Sequence, residues 1–286
     1  MSYVFLIIYL VGLSAFGSFV NDMYMPSLPS MVRFFHCSVP VCELGVAFGM
    51  AGLGLGEIIM GPMSDRYGRK PVLYASLGLF VVAAVVSVFS TSIHFFIGCR
   101  FFQGCGAAGG YFLARTIPTD IFGGRMLAKI MAVVGAINGF APASAPVIGG
   151  VVSQYFGWKG VFIILTLFAV LLFCLATKLK ETLPPARRNR GNLVSIFSNY
   201  GTLLRNRPFM IHSLLKGSAL GMLFAYISSA PFIIQTHFGF SQINFGLIIG
   251  ANSIMAAAGS LVALKFKNLK NAASVAAVIL LVASVA

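Results

Sequence analysis

Eight apolar segments, each about as long as a membrane-spanning helix, divide this chain of 286 residues. A helix needs roughly 20 apolar residues to cross the hydrocarbon core of a bilayer. Charged residues make up 9% of the chain, against about 25% in a soluble domain. The sequence therefore predicts an all-α protein that crosses a membrane many times. The predicted spans are 3–23, 42–62, 71–91, 94–114, 128–150, 158–178, 208–232 and 243–264, and a ninth begins near 271.

One connection is much longer than the others. Most of the gaps between spans are short, but 179–207 is long, polar and basic, and it contains two adjacent prolines and several arginines. This composition is typical of a linker between two units. We therefore expect a first bundle of six helices in 1–178, a cytoplasmic linker in 179–207, and an incomplete second bundle in 208–286.

The basic residues are distributed unevenly between the two sides of the membrane. Sixteen of them lie in alternate gaps or at the adjoining span ends, and only Arg33 and Lys159 lie on the other side. The positive-inside rule then places the N-terminus and the linker in the cytoplasm. The net charge of +14 is accordingly an orientation signal, and we predict no nucleic-acid partner. The sixteen residues are Arg66, Arg69, Lys70, Arg115, Arg125, Lys129, Lys178, Lys180, Arg187, Arg188, Arg190, Arg205, Arg207, Lys265, Lys267 and Lys270.

Among the charged residues of the predicted spans, four are candidates for a functional role, namely Asp22, Glu57, Arg100 and Lys216. A charge at the bilayer centre costs about 2.5–3.5 kcal/mol, so such residues usually have a partner or a function. Asp22 and Arg100 lie near the same face of the membrane, because spans 1 and 4 run in opposite directions. They could form a proton-exchanging pair, although Asp22 could also merely cap span 1. Glu57 could carry protons or join an ion network at the cytoplasmic end, which we favour, and Lys216 could extend towards the cytoplasm.

The polar stretch Gly61-Pro62-Met63-Ser64-Asp65-Arg66-Tyr67-Gly68-Arg69-Lys70 separates spans 2 and 3. Gly61 would let a neighbouring backbone approach, and Gly68 would supply the positive φ of a tight turn. The stretch resembles the signature loop of the major facilitator superfamily, G-x-L-a-D-r-x-G-r-k. Its Gly-Pro-x-Ser-Asp-Arg-x-Gly-Arg-Lys form resembles drug–proton antiporters of the bicyclomycin/chloramphenicol-resistance (Bcr/CflA) type.

The resemblance implies roles for further residues. It assigns Gly61, Asp65, Arg66, Gly68, Arg69, Lys70 and Asp120 to a cytoplasmic latch, with Arg69 contacting Asp120. Arg100-Phe101-Phe102-Gln103-Gly104 resembles the family's R-x-x-Q-G motif, which places Arg100 and Gln103 with Asp22 at the central cavity. Gly135, Gly139, Pro142, Pro146, Gly149 and Gly150 resemble the antiporter motif of helix 5, where small residues allow close packing and prolines bend the helix. The second half carries only a faint echo of the signature, in 259–267.

This family has a fold of two six-helix bundles, and the chain would supply the first bundle and part of the second. The implied function is proton-driven efflux of drug-like molecules across a bacterial inner membrane, with xenobiotic resistance as the outcome. No cofactor or metal is expected, and the partners are lipid, substrate and protons. A monomer is expected unless a second fragment completes it. The alternative is a truncated, non-transporting remnant or half of a split transporter.

The sequence does not indicate an enzyme or an ion channel. The four histidines are isolated, and we find neither the nucleophile nor the metal motifs of an enzyme. Neither a pore loop nor rings of like charge, which would indicate a channel, can be recognised. Cys37 and Cys42 share one short loop and could form a disulfide if that loop faces an oxidising compartment.

Overall fold

The computed structural model describes residues 3–188 and 200–263, with side chains only as far as 255 in the last helix. Over these residues the chain is helical and contains no β-strand. The first five helices are α1 (Tyr3–Asp22), α2 (Leu28–Phe35), α3 (Val39–Tyr67), α4 (Arg69–Val88) and α5 (Ile93–Ile121). The stretch Gly124–Leu175 is broken at Gly157, which has φ 67° and ψ −177°. We call the part before this break α6 and the part after it α7. They are followed by α8 (Arg207–Pro231), a π-helical turn (Phe232–His237) and α9 (Gln242–Ala263).

The long helices run alternately up and down, so their ends gather at two faces. The Gly68 end is the face that carries the α3–α4 turn, the α5–α6 connection and the residues after α7. The His36 end is the opposite face, which carries α2, the α4–α5 connection and Gly157. Tyr3 lies at the Gly68 end, where its ring contacts that of Phe122 at 5.9 Å.

The predicted spans correspond to helices, but several helices continue beyond the predicted limits. Helix α3 ends at Tyr67 rather than 62, and α5 ends at Ile121 rather than 114. Five helical segments are long and apolar enough to cross a membrane, three of them composed of consecutive helical elements. Helix α5 is not among them, because Arg100, Gln103 and its glycines lower its hydropathy. In α9, side chains are described only as far as residue 255, which is shorter than a membrane span.

Helix α5 lies at the centre of the first bundle and contacts α1, α3 and α4 closely. The contact with α3 is backbone to backbone. A Cβ on Gly52 would overlap the carbonyl oxygen of Phe101, and one on Gly104 would overlap that of Gly49. On its other side, Gly106 of α5 packs against Phe80 of α4 in the same way. Glycines on two faces therefore allow α5 to lie close to two neighbours at once.

Helices α8 and α9 contact the first bundle mainly at the His36 end. Gln235 Nε2 donates to Pro26 O at 2.8 Å, and Ser229 Oγ donates to Glu43 Oε1 at 2.9 Å. Most of α8 before Ser228 is exposed. Over the described residues, the two parts are therefore close at the His36 end and apart along the Gly68 half of α8.

Some expectations concern residues outside the described ranges. They include Arg190, the middle of the linker, the start of a ninth span near 271, and Lys265, Lys267 and Lys270. For the faint signature repeat, only the backbone of 259–263 is described, as part of α9.

Candidate functional site

The guanidinium of Arg69 connects three helices at the Gly68 end. Its Nε donates to Asp120 Oδ2 at 2.8 Å, and Nη1 donates to Ser64 Oγ at 2.7 Å and to Asp65 Oδ1 at 2.5 Å. Arg69 is 5% exposed, whereas the Asp65 side chain is 53% exposed. The predicted contact between Arg69 and Asp120 is present in the structure. Arg69 is thereby held between α3 and the end of α5.

A residue that sequence reasoning missed, Glu181, completes this network from the linker. Its carboxylate accepts hydrogen bonds from the backbone N–H groups of Arg69 at 2.9 Å and Lys70 at 3.2 Å. These are the first N–H groups of α4, which have no partner inside the helix. A carboxylate at this position also interacts favourably with the helix dipole. The sequence shows Glu181 as one acid in a basic linker, and nothing in its neighbourhood indicates that it caps a distant helix.

The turn between α3 and α4 consists of Gly68 alone, which has φ 104°. An L-residue rarely adopts this φ, so the expectation for Gly68 agrees with the geometry. The expectation for Gly61 was wrong. A Cβ there would lie 3.5 Å from the Phe112 side chain, which is an ordinary contact, so no neighbouring backbone requires a glycine. Two further members of the predicted latch lie beside the turn. Lys70 Nζ donates to Thr177 O at 3.0 Å, and Arg66 Cζ lies 5.6 Å from the centre of the Tyr67 ring.

Helix α3 continues through Pro62, although the sequence suggested that the span stops there. Proline has no N–H, so the carbonyl of Ile58, four residues earlier, lacks its helical donor. The hydroxyl of Tyr200 donates to this oxygen at 3.1 Å. Burial, and to a smaller extent the nearby Asp65 carboxylate, raise the pKa of the Tyr200 hydroxyl. The far end of the linker is thus attached to α3.

Arg100 is fully buried inside the first bundle, so over the described residues it is not open to a space between the bundles. Its Nη1 donates to Gln103 Oε1 at 2.8 Å, and its Cζ lies 4.3 Å from the centre of the Tyr24 ring. Gln103, also fully buried, donates to Ser87 Oγ at 2.9 Å. Gln103 therefore links Arg100 to α4. The Nε and Nη2 atoms of Arg100 have no hydrogen-bond acceptor among the described residues.

Asp22 lies at the end of α1, two residues before Tyr24, and is 7% exposed. Within the described part of the chain, its carboxylate forms no ion pair and no side-chain hydrogen bond. Arg100 acts on it electrostatically over a longer distance. The direct Asp22–Arg100 pair that the sequence suggested is therefore not formed over the described residues, and the guanidinium contacts Gln103 and Tyr24 instead.

Glu57 and Lys216 belong to a different group of charges. Glu57 is not joined to the Arg69 network over the described residues, contrary to the preference stated from the sequence. Instead, the charges that act on it are Arg115 of α5 and Lys216 of α8. Glu57 lies more than one helical turn before Ser64, which explains why the network is out of its reach. Lys216 is exposed in the first half of α8, where the two parts of the chain are apart.

The residues that resemble the antiporter motif lie on α6, and they fall into two halves with different surroundings. A Cβ on Gly149 would overlap Met23 O, and one on Gly150 would overlap Gln242 O at the start of α9. Pro146 takes part in the same contact, because its carbonyl oxygen lies against Gly246. Close packing, as expected from the sequence, therefore holds for this half. Gly135 and Gly139, in contrast, have no described neighbour within 4 Å of a Cβ, and Pro142 lies between the two halves.

Sequence reasoning also missed a polar contact between α1 and α6. Ser14 Oγ donates to Asn138 Oδ1 at 2.6 Å, and Ser14 is 1% exposed. Uncharged polar residues inside apolar runs give a much weaker signal than charges, which is why this pair was not selected.

The cysteines and acids do not form other recognisable sites in the described ranges. Cys37 and Cys42 are both free thiols, so the disulfide considered from the sequence is not formed. No group of three potential metal ligands is found among the residues that the structure describes.

Comparisons with known proteins agree with this geometry. The profile of the Major Facilitator Superfamily matches residues 10–286. An uncharacterized MFS-type transporter, YdgK of Bacillus subtilis (strain 168), is 33% identical over 262 residues, covering 90% of this chain and 65% of the relative. Multidrug resistance protein D of Escherichia coli (strain K12) is 26% identical, covering 85% of this chain and 61% of that protein. A chloramphenicol resistance protein of Pseudomonas aeruginosa is 27% identical, covering 82% and 55%.

Solved structures share the fold. A D-xylose–proton symporter superposes with a TM-score of 0.67 at 18% identity, over 92% of this chain and 69% of that structure. A bacterial homolog of the human lysosomal transporter Spinster, solved in an inward-facing and occupied conformation, gives 0.67 at 19% identity, over 93% and 62%. The chain thus spans about three-fifths of the length of the curated relatives it matches. With a family profile that covers nearly all of it and a helical bundle that superposes on known members, this multi-pass membrane protein belongs to the Major Facilitator Superfamily.

Proposed function

We propose that this chain takes part in proton-driven export of drugs or other small molecules, as a transporter of the bicyclomycin-resistance type. The observation that carries the proposal is the pair of buried charges Asp22 and Arg100. Both lie inside the first bundle, and neither is neutralised by direct contact with the other. Uncompensated charges at this depth are costly and are typical of proton and ion pathways.

A change in protonation of Asp22 would alter the balance of charge around Arg100. With Asp22 ionised, the guanidinium is attracted to it, and with Asp22 neutral, Arg100 keeps only Gln103 and Tyr24. Such a change can favour one conformation of the bundle over another, provided the two conformations bind the proton with different affinity. This gives a physical route from a proton gradient to a conformational cycle.

The arrangement of the two parts of the chain supports a transport cycle. In the described residues, they touch at the His36 end and separate along the Gly68 half of α8. Together with the distribution of basic residues, which favours a cytoplasmic Gly68 end in a bacterial inner membrane, this corresponds to a state open to the cytoplasm. Alternating access then requires closure of the Gly68 end.

The direction of transport and the substrate class are supported by relatives named for chloramphenicol and multidrug resistance. Because the chain spans only 65% of the length of the Bacillus relative, transport by the chain is itself part of the proposal.

The test is an accumulation assay with chloramphenicol in bacteria that lack their own exporters. The chain is expressed alone and also fused to the part of the Bacillus relative beyond the matched region. We expect the fusion to lower accumulation and a protonophore to restore it. The chain alone should not export, because it spans only 65% of the length of the Bacillus relative.

The same fusion carrying Asp22→Asn should reach the membrane in equal amount and fail to export. Normal, protonophore-sensitive export by this variant would remove Asp22 from the mechanism. Export that is insensitive to the protonophore would contradict proton coupling altogether.

A further inference from the structure

The guanidinium of Arg100 lies against a part of α3 that has no side chain. A Cβ placed on Gly49 would lie 2.7 Å from Arg100 Nη2, 3.2 Å from Cζ and 3.4 Å from Nε. These three atoms are the nearest ones to that position, and all of them belong to Arg100. The space that a side chain at Gly49 would fill is therefore occupied by the guanidinium.

The neighbouring glycines of α3 do not share this contact. Gly45 would place its Cβ 3.9 Å from Arg100 Cγ, which is an ordinary distance. Gly52 faces the backbone carbonyl of Phe101, and Gly54 has nothing within 4 Å. Gly49 is thus the member of this series whose missing side chain accommodates the charged group.

The other contacts of the guanidinium hold it in the same place. Nη1 is fixed by Gln103, and Tyr24 covers one face of the group. Nε and Nη2, the two nitrogens without a hydrogen-bond acceptor in the described ranges, are those that face Gly49. A methyl group there would push the guanidinium off the Tyr24 ring or away from Gln103, because the core around it is closely packed.

We propose that Gly49 is a positioning residue for Arg100: the absence of its side chain forms the seat that holds the buried guanidinium against Tyr24 and Gln103. The seat holds Nε and Nη2 against α3, where no acceptor among the described residues reaches them. The importance of this seat for proton coupling rests on the proposed function. The existence of the seat does not, so an experiment can refute either one without the other.

A double-mutant cycle on the purified chain tests the seat without any transport assay. Gly49→Ala, Gly52→Ala and Gly54→Ala are each made in the wild type and in Arg100→Met, and the melting temperature is measured. We expect Gly49→Ala to lower it in the wild type and to have little effect in Arg100→Met, because methionine is flexible and uncharged.

The other two glycines serve as controls on the same helix. Gly52→Ala should lower the melting temperature equally in both backgrounds, since its Cβ would meet backbone, and Gly54→Ala should lower it in neither. If Gly49→Ala is as harmful in Arg100→Met as in the wild type, its effect does not act through Arg100 and the proposal is wrong.

A spectroscopic readout covers the case in which Arg100→Met does not fold. The Nε–H resonance of Arg100 in a ¹⁵N spectrum is assigned by its loss in Arg100→Lys. We expect Gly49→Ala to shift this resonance and to accelerate its exchange with water, whereas Gly54→Ala leaves it unchanged. An Arg100 resonance that is the same in Gly49→Ala and in the wild type would overturn the proposal.

Discussion

At the scale of single residues, Arg69 shows how one side chain can stabilise a whole end of the bundle. Its planar guanidinium reaches Asp120 through Nε while Nη1 reaches Ser64 and Asp65. Lysine carries the same charge but cannot direct several donors along fixed directions. The contact therefore depends on the shape of the group and not only on its charge.

We expect Arg69→Ala to lower the free energy of unfolding of the purified chain by about 3 kcal/mol, because Asp120 loses its buried partner. Arg69→Lys should recover only part of this loss. The measurement is chemical denaturation in detergent, with Lys129→Gln as the control, since Lys129 is an exposed cation at the same end. Full recovery by Arg69→Lys would show that the charge alone is sufficient.

Residue identities allowed some of these contacts to be predicted, and others depended on the path of the chain. Asp120 and Arg69 were expected to meet because both belong to recognisable motifs. Glu181 was not selected, because its function depends on the linker returning to the start of α4 after a separation of more than 100 residues. Gly49 was not selected either, because a glycine in a glycine-rich span shows its role only when the atom opposite it is known.

At the scale of elements, helix ends depend on residues far away in sequence. The first N–H groups of α4 are bound by Glu181, and an uncharged side chain there would lose both the acceptor strength and the favourable interaction with the helix dipole. The same carboxylate accepts from Thr182 N at 2.9 Å and Leu183 N at 3.0 Å, which folds the start of the linker onto the bundle.

Glu181→Gln should release this segment at a cost of about 1 kcal/mol, the usual value for a lost N-cap interaction. We expect trypsin to cleave faster after Arg187 and Arg188, which can be followed by mass spectrometry of intact membranes. Lys180→Gln, which changes an exposed neighbour, should leave the rate unchanged. Equal rates for Glu181→Gln and the wild type would mean that the carboxylate does not hold the linker.

The contact between α6 and α9 makes a second prediction at this scale. Gly150→Ala should destabilise the chain by about 1–3 kcal/mol, because its Cβ would overlap the Gln242 backbone and neither helix can easily move. Gly139→Ala is the matched control on the same helix, with open space around it. Similar melting temperatures for the two variants would contradict the packing of α9 on α6 described above.

Spans could be located from hydropathy, whereas their ends could not. The sequence placed the end of span 2 at Pro62, because the apolar run gives way there to the polar stretch that carries Asp65 and Arg66. The structure continues α3 to Tyr67, and Tyr200 donates to the Ile58 carbonyl that Pro62 leaves without a helical donor. This partner comes from 142 residues further along the chain, and a local pattern contains no information about it.

At the scale of the whole molecule, the distribution of basic residues predicts the orientation. A cysteine introduced at His237 should react with a membrane-impermeant reagent added outside intact cells. A cysteine at Arg188 should react only after the membrane is permeabilised. The background is a chain without its five native cysteines. Labelling of the Arg188 position from outside would show that the topology is the reverse of the predicted one, and it would contradict the proposed direction of transport.

The two anchors of the linker also determine how far the parts of the chain can separate. Glu181 binds the start of α4, and Tyr200 binds α3, so both ends of the segment between them are attached to the first bundle. The tether to α8 is therefore not the 29 residues of 179–207 but only 201–206, which is partly helical and ends in Asn206, the cap of α8.

Because this tether is short, we expect it to act as a stiff connection between α3 and α8. The cost of lengthening a closed loop grows only slowly with its length, so six glycine and serine residues inserted between 190 and 198 should be tolerated. The same insertion between 203 and 204 should uncouple the rotation of α8 from that of α3. Spin labels on these two helices would then give a broader distance distribution for the second insertion than for the first.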